Sequence, residues 1–319
     1  LSTITAGNDS ATFAVDGTCD ENTLIVDIQV DGASAASQVG MTCDGSNFSG
    51  TIDTTGLADG TLAFTAVITD AAGNETTSTT NTITKDATVP TVTIDAPLDN
   101  SYINIANDSA TFAISGTCNE SGVTIDIEVD GGAATSPVGF LCDGSNYSGT
   151  IDTTGLTEAA HTLQASITDA SLNTGTSSVI NITRDVTAPV LTLVNPADLS
   201  NINAGNDSAT FAVDGACDTA GQTVNIQIDG VDATSQVGFS CNGTNYSGTI
   251  DTTGLGDATF AFTAILSDAA GNETNTLANS VTKDSSPPTV AITSPVDSGY
   301  INIANDSATF AVSGTCNEA

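Results

Sequence analysis

The chain has 319 residues, of which 38 are acidic and three are Lys or Arg, for a formal charge of −35. Such a surface repels phosphate backbones and anionic headgroups, so electrostatic binding of nucleic acid or of an acidic membrane is excluded and the natural small partners are cations. No run of about 18 apolar residues suits a membrane-crossing helix, and the opening "LSTITAGNDS" lacks the basic start of a secretion signal, which for an exported protein has been removed or lies outside this sequence.

In chain order, the first periodic stretch is "ATFAVDG", where Ala11, Phe13 and Val15 share one face and Thr12, Ala14 and Asp16 the other. Next comes "LIVDIQVDG", with Leu24, Val26, Ile28 and Val30 expected inside and Asp27 and Gln29 outside. In "TLAFTAVITD", Leu62, Phe64, Ala66 and Ile68 alternate with Ala63, Thr65, Val67 and Thr69. A period of two marks half-buried strands, and the "DG", "GN" and "DGSN" turns between them predict antiparallel sheets. Helical signals are missing. The phrase "TKDATVP" (Thr84 to Pro90) then precedes a new strand, "TVTIDAP", and the order begins again.

It begins again on a fixed period. "NDSATFA" starts at Asn8, Asn107, Asn206 and Asn305, a step of 99 residues. Cys19, Cys118, Cys217 and Cys316 keep that step, as do Cys43, Cys142 and Cys241, and so do Lys85, Arg184 and Lys283. The copies alternate: "INIANDSATFAISGTCNE" and "INIANDSATFAVSGTCNE" are near twins, which suggests duplication of a two-domain unit with further copies beyond both ends. Roughly seven short strands per period is the size of an immunoglobulin-like sandwich. The predicted fold is therefore all-β, a linear array of Ig-like β-sandwiches of about 99 residues each. The expected domains are residues 1–88 (first strand missing), 89–187, 188–286 and 287–319 (an incomplete start).

"TDAAGNET" (Thr69 to Thr76), "SDAAGNET" (Ser267 to Thr274), the D-x-x-x-P linker and the run "SGTC…C-x-G-x-N-[FY]-S-G-T-I" resemble bacterial Ig-like domains, found in tandem on large surface proteins and adhesins. The resemblance covers the whole chain. It implies a structural or adhesive array, usually secreted, often with calcium at the joints. The second repeat departs from the pattern with "TDASLNTG", where Leu172 replaces the turn glycine while Asp169 and Asn173 remain.

One cysteine pair per strand-rich repeat, 24 positions apart, points to intra-repeat disulfides Cys19–Cys43, Cys118–Cys142 and Cys217–Cys241 and to an oxidising compartment. Cross-links between repeats or chains are the alternative; zinc lacks both C-x-x-C spacing and histidines. The bridge is expected to tie the second strand to one just after the third.

The phrase T-[KR]-D-x-[TS]-x-P is read as the domain joint, stiffened by Pro90, Pro189 and Pro288. Opposite poles of adjoining sandwiches are expected to meet there, bringing Asp86 near Asp169 and Glu120, and Asp185 near Asp268 and Asp218. Those six residues are candidate calcium ligands, being hard oxygen donors from two domains. The competing reading is a turn-capping carboxylate paired with the neighbouring Lys or Arg. On either reading the cation serves to bring two negative poles together, and trypsin is expected to cut only at the joints.

No catalytic constellation can be built three times from the single histidine, His161, which is expected to fill surface or loop. Asp53, Asp152 and Asp251 in "DTTGL" are read as turn residues. Sequons at Asn8, Asn47, Asn74 and Asn272 matter only in a glycosylating host. The expected function is a structural extracellular stalk or fibre at a bacterial surface, without catalysis, whose partners are its own neighbouring repeats. The alternative is an adhesin or filament subunit whose domains bind a ligand or polymerise by strand addition between copies.

Overall fold

The computed structural model describes residues 3–317, which form strands and turns with no helix. They divide into two compact units: residues up to Ile103 together with Asn107–Asp185, and Asn104–Ala106 together with the residues from Val186 onward.

The first unit holds two sandwiches. In the first, Asn81–Asp86, Gly60–Thr69 and Asn22–Val30 pair antiparallel in that order, and Thr3–Thr5 joins Asn81–Asp86 in parallel. The facing sheet consists of Phe13–Thr18, Asn47–Asp53 and Ala36–Val39. In the second sandwich the first sheet runs Ser101–Ile103, Ile180–Arg184, Ala160–Thr168, Ile125–Val129 and Gly132–Ala133, again with its first pair parallel. The facing sheet pairs Phe112–Thr117 with Asn146–Ile151, extended by bridges at Val92 and Ala96 on one side and at Val138 and Phe140 on the other. The chain thus enters along the second sheet at Val92 and crosses to the first at Ser101, which lays the start of the repeat beside its last strand.

The second unit repeats this plan. Ser200–Asn203 lies parallel to Asn279–Asp284, followed by Ala258–Ser267, Asn225–Ile228 and Val231–Asp232, opposite Phe211–Ala216 and Asn245–Ile250. Beyond it Val290–Ser294 pairs with Ser313–Cys316, exposed throughout.

The predicted alternation is what builds three separate cores. Ile125 and Ile127 face Leu163, Ala165 and Ile167, all at most 3% exposed. Each such Ile or Leu contributes about 2 kcal/mol relative to exposure. One strand departs from the expectation: in Gly60–Thr69, Leu62 and Phe64 are buried, but so is Val67, while Ala66 and Ile68 are half-buried. Their counterparts Ala165 and Ile167 lie in the core that Val92 and Ile94 help to close. The first sandwich has no counterpart of Val92 and Ile94 among its described residues.

Candidate functional site

Each basic side chain points into its own sandwich, Lys85 and Lys283 buried and Arg184 half-buried. Lys85 is 3% exposed and donates from Nζ to Asp9 Oδ2 (2.8 Å) and to the Thr54 carbonyl (2.7 Å). Lys283 makes the same bonds to Asp207 and Thr252, both at 2.8 Å. Arg184 holds Asp108 with two nitrogens, Nε at 3.2 Å and Nη2 at 2.6 Å, and donates to the Leu156 carbonyl at 2.9 Å. The threonine hydroxyl closes each network, Thr54 donating to Asp9 Oδ1 at 2.7 Å and Thr153 to Asp108 Oδ1 at 2.7 Å. Hydrogen bonding to Arg184 holds the Asp108 carboxyl below its ordinary pKa, and Lys283 does the same for Asp207. "NDS", "DTT" and "[KR]D" are therefore three parts of one buried ion pair. This corrects the sequence reading: the cation does not sit between repeats, and buried Lys85 and Lys283 are closed to trypsin in the folded chain.

Asp86, the residue beside Lys85, does reach the joint. In the first unit, Asp86 accepts from Ser171 Oγ at 2.8 Å, and its backbone carbonyl accepts from Asn173 Nδ2 at 2.8 Å. Asn173 Oδ1 accepts the Ala6 N–H at 2.6 Å. The second hydrogen of Nδ2 goes to Asp169 Oδ2 at 2.8 Å, while Asp169 Oδ1 receives the backbone N–H groups of Ser171 and Asn173, both at 2.8 Å. Asn173 is 3% exposed and Asp169 8%. Beside them Gly175 packs so tightly on the linker that a Cβ there would lie 1.8 Å from the Pro90 carbonyl oxygen. Inside the second unit, Asn272 Oδ1 likewise accepts the Ile105 N–H at 2.8 Å.

Of the candidate calcium ligands, Asp86 and Asp169 come to one place, bridged by Asn173 and Ser171. Glu120 is half-buried in the loop after Cys118 and forms no metal-holding group with them. Asp185 belongs to the first unit, where its N–H bonds to the Ile103 carbonyl at 2.8 Å. Asp268 and Asp218 belong to the second, where Asp268 accepts from Asn272 N and Nδ2, both at 2.9 Å, and Asp218 from Val190 N at 2.8 Å. Among the described residues no three His, Cys, Asp or Glu side chains are gathered as a metal would need. The lone pairs of Asp169 already face three N–H donors. The residues of this joint do not fit a cation.

Residues 46–141 match the family described as "Bacterial Ig-like domain (group 3)". The match spans almost one period, from the back of the first repeat to the front of the second. Residues 46–141 are similar to a bacterial Ig-like domain, and the rest of the chain repeats that sequence at a step of 99. Among solved structures, the chain is similar to a calcium-stabilised adhesin of an Antarctic bacterium that binds ice (28% identity, 99% of this chain and 80% of that one, TM-score 0.37). It is also similar to a 1.5-MDa bacterial ice-binding adhesin (24%, 89% and 95%, 0.36) and to a tetra-tandem repeat from the extending region of a large adhesion protein (23%, 91% and 74%, 0.30). No curated protein matches the sequence.

In each repeat a disulfide joins the end of one strand to the segment after the next: Cys19–Cys43, Cys118–Cys142 and Cys217–Cys241, each with Cα atoms 6.0 Å apart. Closing a loop of 24 residues stabilises by about 3 kcal/mol in the chain-entropy view. Cys316 is exposed and unbridged. The sequons divide. Asn8 is spent on backbone bonds to Thr3 and Thr5, and Asn272 is 2% exposed, whereas Asn47 is open. Asp53 accepts from Thr55 N and Oγ1, the turn role expected for it.

His161 is a correction. It is 7% exposed on Ala160–Thr168, with Nδ1 2.7 Å from Asp130 Oδ2 and Nε2 2.9 Å from the Thr157 carbonyl. Burial opposes its protonation, but the bonds to Asp130 and Thr157 outweigh it and raise the pKa. The same position is Leu62 one period earlier and Phe260 one period later, so a core position has been turned polar and given partners.

Proposed function

We propose that this chain is a structural extracellular array, the stalk or fibre of a bacterial surface protein, with no catalytic role. Its Ig-like domains would run over residues 1–88, 89–187, 188–286 and from 287. The observation that carries the reading is the repetition itself: three separate cores on an uninterrupted 99-residue period, with the best-organised polar residues outside the cores facing the neighbouring repeat in the first unit. In a tandem array each unit needs to contact only its neighbours. Structural disulfides persist in oxidising surroundings, which supports an array outside the cytoplasm.

Single-molecule pulling of the full chain tests this. Three separate unfolding events are expected, two of roughly 25 nm and a shorter one from the first repeat with the disulfides closed, each lengthened by roughly 8 nm after reduction, the length of about 24 extended residues. One event for the whole chain, or steps that reduction does not lengthen, would overturn the reading.

A further inference from the structure

We infer that the joint between the first and second repeats is keyed by the Asn173 amide, at the position where a shared cation would have to sit, and that it closes without calcium. The inference concerns the chemistry of the joint and stands whether or not the array is a stalk.

The amide is fully used. Its oxygen takes the Ala6 N–H, and its two N–H bonds go to the Asp86 carbonyl and the Asp169 carboxylate. A carboxylate in its place could accept from Ala6 but could not donate to Asp86 or Asp169. Calcium binds six to eight oxygens at about 2.3–2.6 Å. Here the oxygens that would have to supply them already accept from the side chains of Asn173 and Ser171 and from the backbone N–H groups of Ser171, Asn173 and Ala6. Asn173 also reads its partner through main-chain groups, the N–H of Ala6 and the C=O of Asp86. Recognition therefore needs a chain held in the right path, and the parallel pairing of Thr5 with Asp86 supplies that path. No ordering of the receiving loop is needed, because the equivalent loop Asp70–Asn74, largely exposed among the described residues, holds the same internal bonds. Asn173 is thus a positioning residue: it orients one repeat on the next.

Amide hydrogen exchange of the Ala6 N–H in the full chain reads this bond directly. Exchange is expected to be the same in chelator and in millimolar calcium. Asn173→Ala is expected to speed it about tenfold or more, as for loss of a buried hydrogen bond, while Asn74→Ala leaves it unchanged. Asn173→Asp would set a third carboxylate beside Asp86 and Asp169. In that variant exchange is expected to be fast in chelator and slowed by calcium, which converts an amide joint into a cation joint. Faster exchange of the native chain on chelation would overturn the inference, and this arm needs no variant to fold. So would unchanged exchange in Asn173→Ala with the Ile125–Val129 amides still protected.

Discussion

The loops Asp70–Asn74 and Asp169–Asn173 occupy equivalent places in successive repeats, and among the described residues only the second packs against a preceding repeat. Their internal bonds agree atom for atom: the first aspartate N–H to the asparagine carbonyl at 2.9 and 3.0 Å, and the asparagine amide to the aspartate carboxylate at 2.7 and 2.8 Å. Asn74 is exposed and Asn173 is 3% exposed. The joint therefore imposes little on the loop. Its shape is written locally, by an aspartate whose carboxylate collects the N–H groups two and four residues on, and the partner is added to a surface already made. The open loop shows the electrostatic side of the same design: the bonds from Asn74 hold the Asp70 carboxyl below its ordinary pKa.

The comparison can be broken from below. Both loops stand on sandwiches whose first and last strands are tied by the buried cation. Arg184→Ala strands Asp108 and is expected to cost about 3–5 kcal/mol in denaturant unfolding of the second repeat, far more than any loop change. Because the folded Asp108 pKa is depressed, the pair's stabilisation is present above the unfolded value of about 4 and is lost as pH falls through the folded value. Arg184→Lys is expected to retain most of the stability, as Lys85 and Lys283 make the equivalent pair.

The comparison sharpens at the residue after the loop. Gly175→Ala pushes a methyl into the Pro90 carbonyl and is expected to cost about 1–3 kcal/mol or to open the joint. Thr76→Ala, the same position on the open loop, is expected to change the melting temperature little. The smaller test lies inside the loops. Leu172 takes φ +70°, where Gly73 takes +88°. Leu172→Gly should stabilise by about 1 kcal/mol and Gly73→Leu destabilise by a similar amount, read as opposite shifts in melting. The smallest effect expected is a pH dependence confined to the second repeat. The folded pKa of His161 is raised, so its contribution is full below about pH 6.5 and falls away as pH rises through the folded value. His161→Leu should flatten the melting profile there, and persistence of the slope would assign it to another group.

Periodicity carried the sequence reading a long way. Alternation placed Val26, Ile28, Leu62 and Phe64 in the core, and the paired spacing of Cys19 and Cys43 indicated one link per repeat. What escaped was pairing across long separations. Lys85 lies 76 residues from Asp9, and nothing local distinguishes Asp9 from the other aspartates of a strongly acidic chain. A signal existed: Asp9, Thr54 and Lys85 recur in step, whereas many surface residues between them do not. The role of Asn173 is not marked by charge: the joint is made by a neutral group that can donate and accept at once. His161 was misplaced because a single histidine on a strand reads as exposed until its neighbours one period away, Leu62 and Phe260, are set beside it.

The parallel pairing of the segment that opens a repeat with the strand that closes it has a mechanical consequence. In the second repeat Ser101–Ile103 runs alongside Ile180–Arg184 in the same direction. Tension applied at the two ends of that repeat pulls these neighbours past one another along their length, so the bonds between them bear the load together instead of opening one at a time. The half-buried Arg184–Asp108 pair, at the last residue of that seam, acts as a rivet against the slide.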